Sequence, residues 1–316
     1  MISIGYFGTP EFSADLLRAL INANLKIDFV VTNPDKPVGR KKELKPTAVK
    51  ALAESHSIPV IQSEKLRSDE NAIQKIRSFP STLHIVYAYG SIIPEAVFAC
   101  PKFGSINLHG SLLPKYRGAS PVQSALLHGD EITGYTIQYV SPALDSGDII
   151  AQESWPILLS DTTESQIQTL TSRGGERLIQ LLRDLPNKPF PRQAQDHSQA
   201  SHCKKITSLD RPIDWTNPSL RIHNQIRALY PDPLAFTSFR GKQIILLSSW
   251  IPTEEVEIPS GLQVGSFFLG AKKRLFCLCG DGKLIGIERI QPEGKKPMAG
   301  FEFLNGARLE PGDRFL

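Results

Sequence analysis

The feature that most constrains this chain is an alternation near its N-terminus of short apolar runs with helix-length amphipathic ones. Ile2-Ser3-Ile4-Gly5-Tyr6-Phe7 reads as a strand, and Glu11 to Ala23 as a helix. Ile27-Asp28-Phe29-Val30-Val31 is a second strand. A helix near 47–55 precedes the strand Pro59-Val60-Ile61, and another near 70–78 precedes Leu83-His84-Ile85-Val86-Tyr87. Strand–helix–strand repetition of this kind predicts an α/β fold, a mostly parallel sheet with helices on both faces. Gly5 and Gly8 fall where a dinucleotide-binding loop would start. The full G-x-G-x-x-G is absent, so a tight strand-to-helix turn is expected there and a nicotinamide enzyme is disfavoured.

Further along, Asp161 to about Asp184 reads as one long helix. Asp161 and Glu164 have capping-box spacing, and Ile167, Leu170, Leu178, Leu181 and Leu185 form an apolar stripe that Gly174-Gly175 weakens. Pro186, Pro189 and Pro191 then lead into a polar Gln/Ser/His stretch that reads as a linker. The expected division is therefore a first domain over 1–189, a linker over 190–205 and a second domain over 206–316. In the second, Asn217 and Pro218 open a helix to about Leu229. Five strands follow: Phe236 to Phe239, Gln243 to Trp250, Gly261 to Leu269, Leu275 to Cys279 and Lys283 to Ile290. Their number and length predict a small barrel, although spacing alone does not separate an OB-like from an SH3-like one.

A length of 316 residues accommodates about two domains. With 41% hydrophobic and 22% charged residues the chain has the make-up of an ordinary globular protein rather than a disordered one. No apolar run approaches the roughly 20 residues of a membrane span, and the N-terminus lacks a basic n-region and a cleavage site. The four cysteines have no zinc-site spacing and are expected as reduced thiols of a cytoplasmic protein, with no bound metal. A net charge of +4 permits a nucleic-acid partner without demanding one.

The chemistry concentrates in Ser105-Ile106-Asn107-Leu108-His109-Gly110-Ser111-Leu112-Leu113-Pro114-Lys115-Tyr116-Arg117-Gly118. Residues two apart on a strand share a face, so Asn107 and His109 project together at a strand end, where α/β sheets carry their ligands. An amide donor beside an imidazole suits a reaction that builds negative charge on a carbonyl oxygen. Asp145, in Leu144-Asp145-Ser146-Gly147-Asp148, is the candidate third member. Asp148 reads as a loop or strand-start residue, and His84, His128, His197, His202 and His223 have no comparable setting.

These residues in these settings resemble the Asn/His/Asp centre of the folate-dependent formyltransferases. The resemblance runs nearly end to end with the branch that acts on methionyl-tRNA. It is carried by Phe7-Gly8-Thr9-Pro10, Gly39-Arg40-Lys41-Lys42, Ala88-Tyr89-Gly90, Asn107 to Gly118, Leu144 to Asp148 and Ile290 to Met298. It implies a Rossmann-like domain followed by an OB-like barrel. It also implies transfer of a formyl group from 10-formyltetrahydrofolate to the α-amine of methionyl-initiator-tRNA. Asn107 and a protonated His109 would donate to the oxyanion. Asp145 would pair with the imidazolium, or accept the amine proton directly or through water.

On the same grounds Tyr89, Gly90, Ile92, Ser111, Leu112, Leu113 and Pro114 are expected at the folate. Arg40, Lys41 and Lys42 in a basic loop, and Lys272, Lys273 and Arg274 with Lys295 and Lys296 on the barrel, are expected at the tRNA. The expected state is a monomer with no membrane partner. Ser141-Pro142-Ala143 and Lys41-Lys42-Glu43 depart from the family pattern, where Gly is common. The rival readings are a sugar-nucleotide N-formyltransferase and a non-catalytic RNA-binding protein on the same scaffold.

Overall fold

The computed structural model describes residues 2–38, 43–185, 187–307, 310 and 313–316. The chain divides into two compact units. The first comprises Met1–Pro121, Gly134–Trp155 and Ile167–Cys203, and the second Val122–Thr133, Pro156–Gln166 and Lys204–Leu316. The stretch that reads as a linker thus belongs to the first unit as far as Cys203.

In chain order the elements up to that point begin with β1 (Ser3–Gly8), α1 (Glu11–Asn22), β2 (Lys26–Thr32), β3 (Lys36–Val38), β4 (Glu43–Lys45), α2 (Ala48–Ser55) and β5 (Val60–Gln62). Then come α3 (Glu70–Arg77), β6 (Leu83–Tyr87), α4 (Glu95–Phe98), β7 (Ser105–His109), β8 (Arg117–Gly118) and α5 (Pro121–His128). They end with β9 (Ile132–Tyr139), β10 (Ile149–Pro156), α6 (Thr163–Asp184) and β11 (His202–Cys203). The main sheet has the order β10-β9-β7-β6-β1-β2-β5. β5, β2, β1, β6 and β7 run parallel, and β9 lies antiparallel to β7. This is the mostly parallel α/β sheet that the strand–helix alternation predicts.

Register assigns the faces. Phe7 pairs with Val86 and with Val31, and Val86 pairs with Asn107, so these four residues share one face. Over β1, β2 and β6 that face packs on Ala72, Ile73 and Ile76 of α3. Leu108 points the other way. There a Cβ on Gly174 would lie 2.7 Å from the Leu108 side chain, and one on Gly175 would lie 3.1 Å from Leu16 of α1. The glycine pair therefore does not interrupt α6. It lets the helix come close to β7 and α1 on the face opposite Asn107.

The start of α6 differs from the expected Asp161/Glu164 box. Thr162 N–H donates to Ser165 Oγ at 3.0 Å and Ser165 N–H to Thr162 Oγ1 at 3.2 Å, so the reciprocal cap lies one residue later. Asp161 instead accepts from Leu158 N–H and from the Gln166 amide.

The second unit carries α7 (Ser219–Ala228), β12 (Ala235–Phe239), β13 (Lys242–Trp250), β14 (Phe267–Gly270), β15 (Arg274–Leu278), β16 (Leu284–Pro292), β17 (Met298–Ala299) and α8 (Gly300–Ala307). Pro218 occupies the N-cap of α7, and the Asn217 side chain donates to Asp214 O instead of capping it. Gly261 to Gly265, expected as strand, precede β14 as turns and irregular chain. The sheet order is β12-β13-β16-β15-β14. Residues 314–316 bridge the end strand β12 to the residues just ahead of β14. Ser238 and Leu316 exchange backbone hydrogen bonds, Phe315 N–H donates to Gly265 O, and Arg314 bridges Ser266. The barrel closes through this segment, whose Phe315 ring stacks on Trp215 and Phe267 in the core.

Candidate active site

Asn107 and His109 occupy the last part of β7. On the neighbouring antiparallel strand β9, Gln138 lies opposite Asn107 and Thr136 opposite His109. Directly opposed residues share a face, so four polar side chains face the same way over this strand pair. Thr136 holds the turn that follows His109. Its hydroxyl donates to Ser111 O at 2.7 Å and accepts from Leu113 N–H at 3.0 Å. The Gln152 amide donates to the same hydroxyl and to Leu113 O.

His109 is 5% exposed. Its Nε2 lies 2.9 Å from Tyr116 O, and a carbonyl oxygen only accepts, so Nε2 carries the hydrogen. Nδ1 is the nitrogen left for chemistry. Asp145 Oδ2 lies 3.7 Å from it, close enough to balance an imidazolium and too long for a hydrogen bond that would lock the ring. Asn107 is half-buried, and its amide bonds to none of the described residues.

The Asp145 carboxylate is held from two sides. Gly118 N–H donates to Oδ2 at 2.9 Å, and Gln138 Nε2 to Oδ1 at 3.1 Å. The backbone at Asp145 has φ +49°, a left-handed conformation that costs an L-residue about 1–2 kcal/mol. Pro142 and Ala143 are accommodated without glycine. The Ser141 and Ser146 hydroxyls both donate to Ala143 O, closing the turn, and neither Pro142 nor Ala143 has positive φ. Asp148 sits apart from the centre, half-exposed, 3.4 Å from the Arg192 guanidinium. A free amide donor beside an imidazole with a balancing carboxylate can stabilise negative charge growing on a carbonyl oxygen.

Two family models together cover most of the chain: formyl transferase over residues 2–182, and formyl transferase, C-terminal domain, over 205–308. The chain belongs to the formyl transferase family. It is 45% identical to a methionyl-tRNA formyltransferase of Leptospira interrogans, over 99% of this chain and 100% of that one. It is 38% identical to another from Lysinibacillus sphaericus over 100% of both. Among solved structures, an N-formyltransferase from Helicobacter canadensis in complex with folinic acid and dTDP-3-aminofucose shares the fold. Its TM-score is 0.67 at 20% identity, covering 92% of this chain and 100% of that one.

The other residues singled out from sequence fall into distinct settings in this formyl transferase. Tyr89 is buried against Phe7. Its hydroxyl has no partner among the described residues, and burial pushes its pKa up to about 12. Gly90, with φ +79°, and Ile92, 66% exposed, lie on the surface of the same loop. That loop is tied to the ends of β1 and β2, because Thr9 and Asn33 both donate to Tyr89 O and Ser91 donates to Asn33. Ser111 and Leu113 are buried. The Ser111 hydroxyl is spent on Lys115 O, whereas Leu112 and Pro114 are half-exposed.

Arg40, Lys41 and Lys42 lie outside the described residues. Ahead of β3, Asp35 accepts from Lys50 Nζ and Gln62 Nε2, both at 2.6 Å, and these bonds hold its carboxyl below the usual range. Lys272, Lys273 and Arg274 are exposed. They rim a cavity of about 1000 Å³ in the second unit that Glu254, Glu255, Glu257 and Glu288 also line, so the local field is mixed in sign. Gln138, Thr136, Thr9 and Asn33 were not expected from sequence. The available signal was Thr136 and Gln138, two polar residues two apart on the strand β9.

Proposed function

We propose that this formyl transferase moves a formyl group from 10-formyltetrahydrofolate to the α-amino group of methionyl-initiator-tRNA. The observation that carries the reading is the match at 45% identity to a methionyl-tRNA formyltransferase, over 99% of this chain and 100% of that one. The N-formyltransferase in complex with an amino-sugar nucleotide shares only 20%.

In this reading the amine nitrogen attacks the formyl carbon and a C–N bond forms. The carbonyl electrons move to oxygen, which takes hydrogen bonds from the Asn107 amide and from His109 Nδ1–H. Collapse of that adduct breaks the bond to the folate nitrogen, which leaves with a proton supplied through His109. Asp145 balances the imidazolium. The proton lost by the amine goes to Asp145 or to water. The products are N-formylmethionyl-tRNA and tetrahydrofolate, and no covalent enzyme intermediate is needed.

The folate ring is assigned to the loop of Tyr89, Gly90 and Ile92 and to the turn from Ser111 to Pro114. The exposed Ile92 side chain and the half-exposed Leu112 and Pro114 fit a flat apolar partner. Ser111 and Leu113 act there through the turn they hold. The first unit carries the reaction, and the barrel, through Lys272, Lys273 and Arg274, contributes phosphate contacts, as do Arg40, Lys41 and Lys42.

The test is a radiolabelled formyl donor offered with three acceptors: charged initiator tRNA, uncharged tRNA and an amino-sugar nucleotide. Label should enter charged tRNA alone. Label on the sugar, or on none of the three, overturns the proposal.

A further inference from the structure

The carboxylate beside His109 is held by a chain of amides that starts at a buried arginine. Arg117 Nε and Nη2 donate to Gln195 Oε1 at 3.1 and 2.6 Å. Gln195 Nε2 lies 3.1 Å from Gln138 Oε1, 3.0 Å from Asp145 O and 2.8 Å from Gly147 O. Gln138 Nε2 completes the chain at Asp145 Oδ1. Gln138 is 1% exposed, and Gln195 and Arg117 are each 6%.

A guanidinium only donates. The Gln195 oxygen must therefore face Arg117, and its N–H groups must face the loop carbonyls and Gln138. That in turn presents the oxygen of Gln138 to Gln195 and its N–H to Asp145. Each amide orientation is dictated by the one before it, and none can flip without leaving buried groups unpaired. The loop so held includes Asp145 at φ +49°, a conformation that persists only where its surroundings impose it.

We propose that Gln195 is a positioning residue for formyl transfer: oriented by Arg117, it sets the direction of Gln138 and pins the Asp145 loop so that the carboxylate faces His109. The proposal rests on the role assigned to Asp145 above. It gives the polar stretch after α6 a part in the active site.

The test replaces Gln195 in the full chain by Met, which keeps length without an amide, and by Glu, which keeps the acceptor for Arg117 and loses both N–H donors. Single-turnover rates, KM for both substrates and thermal unfolding are measured, and Gln195→Met is repeated in an Asp145→Asn background. Gln195→Met should slow turnover by about tenfold to a hundredfold. KM should stay within about threefold, which marks a loss confined to the chemical step. Gln195→Glu should be no better than Gln195→Met. In the Asp145→Asn background the further loss should be less than about twofold, since both changes act through one carboxylate.

A folded Gln195→Met with wild-type turnover, or losses that simply multiply, would overturn the positioning role. Should Gln195→Met fail to fold, Gln138→Met removes the last link alone and is read by the same criteria. Near wild-type turnover of Asp145→Asn would instead overturn the reading of Asp145 itself, and the role of Gln195 with it.

Discussion

Replacing Asp145 by Asn removes one charge and adds one N–H pair at nearly constant shape. Two consequences can be sized from the structure. In the proposed mechanism the imidazolium of His109 loses its partner at 3.7 Å. With an effective dielectric of about 20 that attraction is worth about 4 kcal/mol. The new amide also cannot satisfy its neighbours. If its nitrogen takes the Oδ2 position it faces Gly118 N–H, and if it takes Oδ1 it faces Gln138 Nε2, so one donor is left without an acceptor either way. That mismatch costs about 1–3 kcal/mol, part of it as stability rather than rate. Because each 1.36 kcal/mol is a factor of ten, the charge term alone implies turnover slowed by roughly 10³. The assay is steady-state formyl transfer by purified Asp145→Asn, with its melting temperature measured alongside. A folded variant losing less than about tenfold would refute the charge-balance argument, since a 4 kcal/mol interaction cannot vanish at so small an effect.

Three further outcomes are expected. His84 is packed between Phe7 and Phe29, and burial pushes its pKa down to about 4. Between that value and the unfolded value near 6.5 only the unfolded chain binds the proton, so stability falls as pH drops through this window, by about 2 kcal/mol from pH 7 to pH 5. Urea unfolding of His84→Leu should lack that share of the decline, and an unchanged pH slope would remove His84 as its source. At Gly147 a Cβ would lie only 1.9 Å from Tyr139 O, a backbone atom. Gly147→Ala should cost about 1–3 kcal/mol in thermal unfolding and slow formyl transfer; a variant with unaltered stability and rate would show that the Asp145 loop has slack. Neutralising Lys272, Lys273 and Arg274 together should shallow the salt dependence of tRNA binding by up to about 3 in log–log slope. No change in slope would mean that the neighbouring glutamates leave this patch without RNA contacts.

What was legible in the sequence follows from where side chains lie relative to water. β1 and β6 are buried on every residue, so their continuous apolar runs could be located to within a residue or so. Asn107 and His109 stood out because a strand forces i and i+2 onto one face. The supports of the site did not. Gln195 reads as part of a polar connector, yet it is buried by contacts with residues 48 to 78 positions away. Two-residue strands such as β8 and β11 carry too little pattern to be read. The strand expected over Gly261 to Leu269 began late because Gly261 and Gly265 both adopt positive φ, which breaks extended backbone. The segment that closes the barrel depends on Phe315 filling a core made by distant residues, a tertiary reward with no local signature.

The most direct measurement is the single-turnover rate of formyl transfer to charged initiator tRNA by Asn107→Ala beside the unsubstituted protein. If the Asn107 amide donates to the transient oxyanion, the rate falls by roughly 10²–10³ while both substrates still bind. A folded Asn107→Ala protein that transfers formyl at the unsubstituted rate would contradict the account.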